Sequence, residues 1–173
     1  MLQACHQDSI FNEKHFPITL VSDEISQTSN IGGLLRLSDA FGIENIIFCG
    51  SVDTLSRKSK RTSRATENWV NFSFENNIES VIQSLRNSHF ILGLEITTTS
   101  VSIRELKLKT NRKLAVVIGN ENYGIKDTVL KMCDQVVHID MYGKNSSMNV
   151  THATAILLQE LTEQILNTKD NAQ

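Results

Sequence analysis

Residues 114–119, LAVVIG, place five apolar residues in a row and end on a glycine. A strand wet on one face alternates apolar with polar residues. A short unbroken run rich in branched side chains needs cover on both faces, as in a mostly parallel sheet sandwiched between helices. Runs at 18–22, 45–50, 69–74, 89–96 and 135–139 also read as strands. Between them the spacing of apolar residues predicts helices over 31–41, 78–87, 126–132 and 149–166. This alternation predicts an α/β fold, a mostly parallel sheet with helices on both faces. The chain of 173 residues suits one domain over 1–173. Pro17, the one proline, falls just before the first predicted strand, where a missing N–H does no harm.

Several function classes are excluded at this level. No apolar run approaches the roughly 20 residues that cross a bilayer, and the N-terminal stretch MLQACHQDSIFNEKHF has neither the basic flank nor the apolar block of a secretory signal. A cytoplasmic protein is expected. Cys5, Cys49 and Cys133 are widely spaced and form no CxxC pair, so they read as free thiols, and no histidine pair has metal-ligand spacing. His138 and His152, near the most informative region, read as surface or second-layer residues. GxGxxG, GxxxxGK[ST] and GxSxG are all absent, which counts against nicotinamide, P-loop and serine-hydrolase chemistry.

The net charge is −2, yet Arg57, Lys58, Lys60, Arg61 and Arg64 stand within eight residues with no acid between them. Such a run is either a solvated helix end or loop, or the footprint of a nucleic-acid backbone.

Three loops after strands are unusual, and in open α/β sheets the ligand binds there. In SQTSNIGG, Ser29 or Asn30 can cap a helix starting at Ile31, leaving the N–H groups of residues 31–33 facing an anion. Gly32 and Gly33 each cost roughly 1 kcal/mol of helix propensity, which calls for close approach of another backbone or a ligand. Arg36, four residues after Gly32, shares its face: either an exposed arginine or the residue this turn presents. In GNENYG, Glu121 stands where a carboxylate can accept a bond from Arg36 or from a ligand. In DMYGKNSSMN, Ser147 and Asn149 sit at the threshold of the last helix, as caps or as ligand contacts.

Together these loops resemble the motifs of the SpoU, or TrmH-like, RNA ribose methyltransferases of the SPOUT superfamily. Asn30, Gly32 and Arg36 meet NxGxxxR; Gly119, Glu121 and Gly124 match the second motif; and IDMYGKNSSMNVT supplies Ile139, Met141, Gly143, Ser147, Asn149 and Val150 of the third. Asp140 and Met148 stand where the family pattern has proline and leucine.

The resemblance implies a C-terminal trefoil knot, a homodimer with the active site at the subunit interface, and S-adenosylmethionine as cofactor. By motif position the cofactor would lie against Leu94, Glu95, Gly119, Asn120, Ile139, Met141 and Met148. The reaction implied is methyl transfer to a ribose 2′-hydroxyl of RNA, with Arg36, Asn30, Glu121, Ser147 and Asn149 as catalytic residues and the 57–64 cations binding RNA. Arg36 acts as a base or as a fixed charge, and because an arginine almost never gives up its proton the charge is favoured. The stretch SRATENWV is similar to the segment before the third strand in transfer-RNA members, so transfer RNA is expected ahead of ribosomal RNA. A knotted protein that binds RNA without turnover, and a flavodoxin-like small-ligand domain, are the competing readings.

Overall fold

The computed structural model describes residues 12–145 and 147–170. Seven strands form one sheet in the order β3-β2-β1-β6-β4-β7-β5. They are β1 (Phe16–Asp23), β2 (Ile43–Cys49), β3 (Phe72–Glu75), β4 (His89–Leu94), β5 (Val101–Ser102), β6 (Lys113–Ile118) and β7 (Gln135–His138). Every pairing is parallel. The continuous apolar runs have the predicted cause, since Leu114 to Ile118 of β6 are all buried, with β1 on one side and β4 on the other.

The helices divide between the two faces according to side-chain alternation. Ile18 and Leu20 of β1 with Leu114, Val116 and Ile118 of β6 pack under α1 (Thr28–Ala40) and α5 (Val150–Asp170). Val21, Ala115 and Val117 point the other way, toward α3 (Ile78–Leu85) and α4 (Asp127–Leu130). Burying each large aliphatic side chain contributes about 1.5–3 kcal/mol, and both faces carry an unbroken set. A further helix, α2 (Arg57–Ser63), lies outside this sandwich and docks on α1.

Some boundaries differ from those the sequence predicts. The helix expected at 31–41 begins three residues earlier, and the strand expected at 69–74 begins only at Phe72 because a 3-10 turn, Thr66–Asn68, occupies the approach. Pro17 lies inside β1, where the pairing with β2 is irregular between Phe16 and Thr19. Cys49 and Cys133 are free thiols whose pKa values burial pushes up, to about 12 and about 11. They are protonated and unreactive at neutral pH. The first eleven residues of the N-terminal stretch, Cys5 among them, lie outside the described residues. Among the described residues no helix is long and apolar enough to cross a membrane, and no cluster of histidine, cysteine and carboxylate side chains could hold a metal ion.

Candidate functional site

β6, β4 and β7 are adjacent, so the segments leaving their carboxyl ends meet. With the start of α5 they enclose a cavity of about 870 Å³. Leu94, Ile118 and Ile139 come from the strand ends, Met141 and Met148 from the loop before α5, and Val150 and Ala153 from α5 itself. All seven residues expected to hold a cofactor line this cavity, as do Glu121, Ser147 and Asn149.

The loop after β6 is held tightly. Asn120 and Gly124 exchange two backbone hydrogen bonds, 3.0 and 2.9 Å, closing a five-residue turn at the cavity wall. A Cβ on Gly119 would stand 2.2 Å from the carbonyl carbon of Gly124, so only glycine admits this return. Gly124 has φ +67°, the left-handed region, and its Cα faces the Glu95 carboxylate. Glu95 Oε2 accepts from the Ile125 N–H (3.0 Å) and Oε1 from the Ile96 N–H (2.9 Å). The Asn120 side chain donates to the Glu24 carbonyl (2.6 Å) and accepts from the N–H groups of Asn122 and Tyr123. Glu95 and Asn120 thus line the cavity, but their side chains are engaged in building its wall.

Asn30 joins the three loops. Its Nδ2 donates to Glu121 Oε1 (2.8 Å) and its Oδ1 accepts from Asn149 Nδ2 (3.0 Å), at 4% exposure. The same Glu121 oxygen accepts from the Gln27 N–H (3.2 Å) at the start of α1. This corrects the expected cap. Asn30 sits in the first turn, the N–H of Ile31 is already bonded to the Gln27 carbonyl, and Glu121 places its negative charge at the helix start from across the fold. Asn149 does cap: its Oδ1 accepts from the Thr151 N–H (2.9 Å), so one side chain both starts α5 and holds Asn30. Glu121 Oε2 is buried without a hydrogen-bond partner among the described residues.

Arg36 is exposed and does not line the cavity of its own chain. Six residues after Asn30 at 3.6 residues per turn, it points about 120° away from the side that Asn30 turns to Glu121. Glu121 is therefore a partner of Asn30 and of the backbone at Gln27, not of Arg36. The glycine pair also has an internal cause. A Cβ on Gly32 would stand 2.3 Å from the Ser59 carbonyl oxygen of α2, and one on Gly33 would stand 3.0 Å from Thr151 Cγ2 of α5. What approaches this turn is the chain's own α2 and α5.

Asp140, where the family pattern has proline, is well bonded. Its Oδ2 accepts from Ser102 Oγ (2.7 Å) and lies 3.6 Å from Arg104 Nε, while Oδ1 lies 3.6 Å from His138 Nε2. His138 Nδ1 in turn meets Ser100 Oγ at 2.9 Å. These bonds tie the loop after β7 to the segment 100–104 by side chains instead of by ring rigidity. Sequence reasoning missed Ser100, Ser102 and Arg104, because they act only through a residue 36–40 positions away.

The basic run forms α2, capped by Ser56, whose Oγ accepts from the Ser59 N–H (3.1 Å). Arg57, Lys58, Lys60, Arg61 and Arg64 are all exposed, and none pairs with a carboxylate among the described residues. Because α2 docks at Gly32, these cations stand beside the face of α1 that carries Arg36.

Comparisons with known proteins agree with this fold. Residues 17–159 match the model of the SpoU rRNA Methylase family. An uncharacterized tRNA/rRNA methyltransferase of Borreliella burgdorferi is 30% identical over 163 residues, covering 90% of this chain and 68% of that protein. The 23S rRNA (guanosine-2′-O-)-methyltransferase RlmB of Haemophilus influenzae is 28% identical over 165 residues, covering 92% and 65%. The chain thus spans about two thirds of the length of these relatives. The AdoMet-bound rRNA methyltransferase from Sinorhizobium meliloti superposes with a TM-score of 0.78 at 20% identity, covering 88% of this chain and 58% of that one, a likeness of fold.

Proposed function

The chain belongs to the SpoU rRNA methylase family, and from that premise we propose that it transfers a methyl group from S-adenosylmethionine to a ribose 2′-hydroxyl of RNA. The observation that carries this reading is the Asn30 junction, which holds together Glu121 and Asn149, cavity-lining residues that stand 91 and 119 positions after it in the chain. The cavity suits the cofactor. About 870 Å³ falls within the usual range for small-ligand sites, its walls combine Leu94, Ile139, Met141 and Met148 with backbone at the strand ends, and Glu121 Oε2 is an orphaned acceptor beside it.

When bound, the cofactor supplies an electrophilic sulfonium methyl. The residues of this chain align the acceptor and stabilise the charge that develops on it. A ribose hydroxyl is a weak nucleophile at neutral pH, so its oxygen must be held in line and its emerging negative charge met by a fixed positive group. Arg36 is that group, holding the neighbouring phosphate and the developing alkoxide as a charge and not as a base, while the hydroxyl proton passes to water. Ser147 and Asn149 shape the ribose side of the cavity. Asn30 and Glu121 fix α1, and with it Arg36, relative to the cavity. Since Arg36 points away from its own chain's cavity, it serves the cavity of a second copy in a homodimer. The remainder of this reading is a single catalytic unit that works in the cytoplasm, with a trefoil knot around the cavity. Its substrate is transfer RNA, favoured over ribosomal RNA by the SRATENWV stretch before β3. Asp140, which as a departure from the family motif would favour RNA binding without turnover, is held by a hydrogen bond from Ser102 and stands beside Arg104 and His138.

The test is methyl transfer to RNA from cells lacking the gene, with the modified ribose mapped. Arg36→Ala is expected to lower the rate by at least about 10²-fold, the usual loss of a transition-state charge partner, while calorimetric binding of S-adenosylmethionine stays unchanged. Full activity in Arg36→Ala would remove Arg36 from the mechanism. No binding at millimolar cofactor would favour the non-catalytic reading.

A further inference from the structure

Trp69 stands immediately after the 3-10 turn Thr66–Asn68 and is 60% exposed, the one tryptophan of the chain. A single exposed apolar side chain is ordinary on a protein surface, and what singles this one out is how it is held. Its indole is not loose, for Nε1 donates to Asp39 Oδ1 of α1 at 2.7 Å, which fixes the ring edge and leaves most of its surface bare. The backbone that delivers it is strained: Arg64 and Ala65, neither of them glycine, both take left-handed conformations, with φ of 54° and 69°. Consecutive residues of this kind persist only where surrounding bonds over-determine them. Here Thr66 Oγ1 donates to the Ser63 carbonyl (2.9 Å), and Ser63 Oγ bonds both the Lys60 carbonyl (2.8 Å) and Glu67. The strained turn reverses the chain out of the basic helix α2 and lays Trp69 against α1.

Asp39, the tether, is three residues after Arg36, one turn along the same side of α1. The indole therefore lies about one turn beyond Arg36 on α1, while α2 is seated at Gly32, about one turn before it.

Resting on the reading above that the substrate is RNA, we propose that Trp69 is a stacking platform for an unpaired nucleobase next to the methylated nucleotide. The α2 cations hold the backbone and Arg36 faces the target ribose. Backbone contacts position a strand without reading its bases, whereas an aromatic face recognises only a base turned out of a helix. The site thus selects single-stranded or splayed-out RNA over duplex.

With one tryptophan in the chain, its fluorescence reports on this residue alone. The full-length protein is titrated with a single-stranded 15-mer RNA, with the same sequence as a duplex, and with inorganic polyphosphate, which offers charge without bases. The single strand is expected to quench the emission, and polyphosphate to bind without quenching. Trp69→Ala is expected to weaken single-strand affinity roughly 10-fold, within the range for loss of one base–aromatic stack, and to raise KM for the RNA while leaving kcat little changed. Trp69→Phe, which keeps a face to stack on, is expected to restore most of the affinity. Equal quenching by polyphosphate, binding of the single strand without quenching, or wild-type affinity in Trp69→Ala would each overturn the platform. Methyl transfer that survives in Trp69→Ala alongside unchanged affinity would remove the platform and leave the methyltransferase reading standing. Quenching specific to single strands in a protein with no transferase activity would do the reverse.

Discussion

Gly32 and Asn30 show how single positions in one turn answer to distant parts of the chain. Gly32 exists because the Ser59 carbonyl oxygen would lie 2.3 Å from any Cβ there, and backbone cannot move aside as a side-chain end can. Gly32→Ala should therefore cost about 1–3 kcal/mol and loosen α2, read as a lower midpoint of denaturant unfolding and faster proteolysis within 57–63. Gly143 is a control, since a Cβ there meets nothing within 4 Å and the substitution to alanine should stay within about 0.5 kcal/mol. Asn30 was legible as a polar residue at a helix start. Its partners were not, because Glu121 and Asn149 reach it only once the sheet has brought three strand ends together.

Among the elements, α2 was the least legible. Its seven residues are cations, serines and a threonine, with no apolar periodicity to set a helix apart from a loop. What makes it a helix is a Ser56 cap and a seat on Gly32, one local and visible, the other 25 or more residues away. The same limit applies at β3, where an aromatic run predicted a strand from residue 69 and the 3-10 turn claims its first part. Since the cations of α2 face solvent, they can be removed without disturbing its fold. Neutralising Lys58, Lys60 and Arg61 together should leave the circular dichroism unchanged. It should also lower the slope of log affinity for single-stranded RNA against log salt by about 2, at roughly 0.7 per phosphate contact. An unchanged slope would make α2 a wet surface with no part in binding.

For the whole molecule, the parallel sheet and its two helical layers were legible because burial on both faces leaves continuous apolar runs, a signal that survives without knowledge of topology. The order β1-β6-β4-β7 was not, since periodicity says that a strand is buried but not which neighbour buries it. That order assembles the cavity, and the direction of Arg36 away from it yields a prediction for the assembly. Met148→Trp, at a cavity-lining and partly exposed position, should fill the cavity, while Arg36→Ala leaves it open. Each variant alone should be inactive. Mixing the two and allowing subunits to exchange should restore part of the activity, because a mixed dimer then holds one site with an open cavity and an arginine facing it. No recovery in a mixture shown by sedimentation to contain mixed dimers would place Arg36 and the cavity in the same chain's site.

The cavity also has a place in time. Its floor comes from strands complete by residue 138, but Ser147 to Ala153 close it, and α5 seats itself through Thr151 against Gly33. During synthesis from the N-terminus, β7, which ends at His138, leaves the ribosome nine residues before Ser147. A nascent chain thus passes through a stage that is folded in its strands yet blind to cofactor, and the ability to bind arrives with the first turn of the last helix.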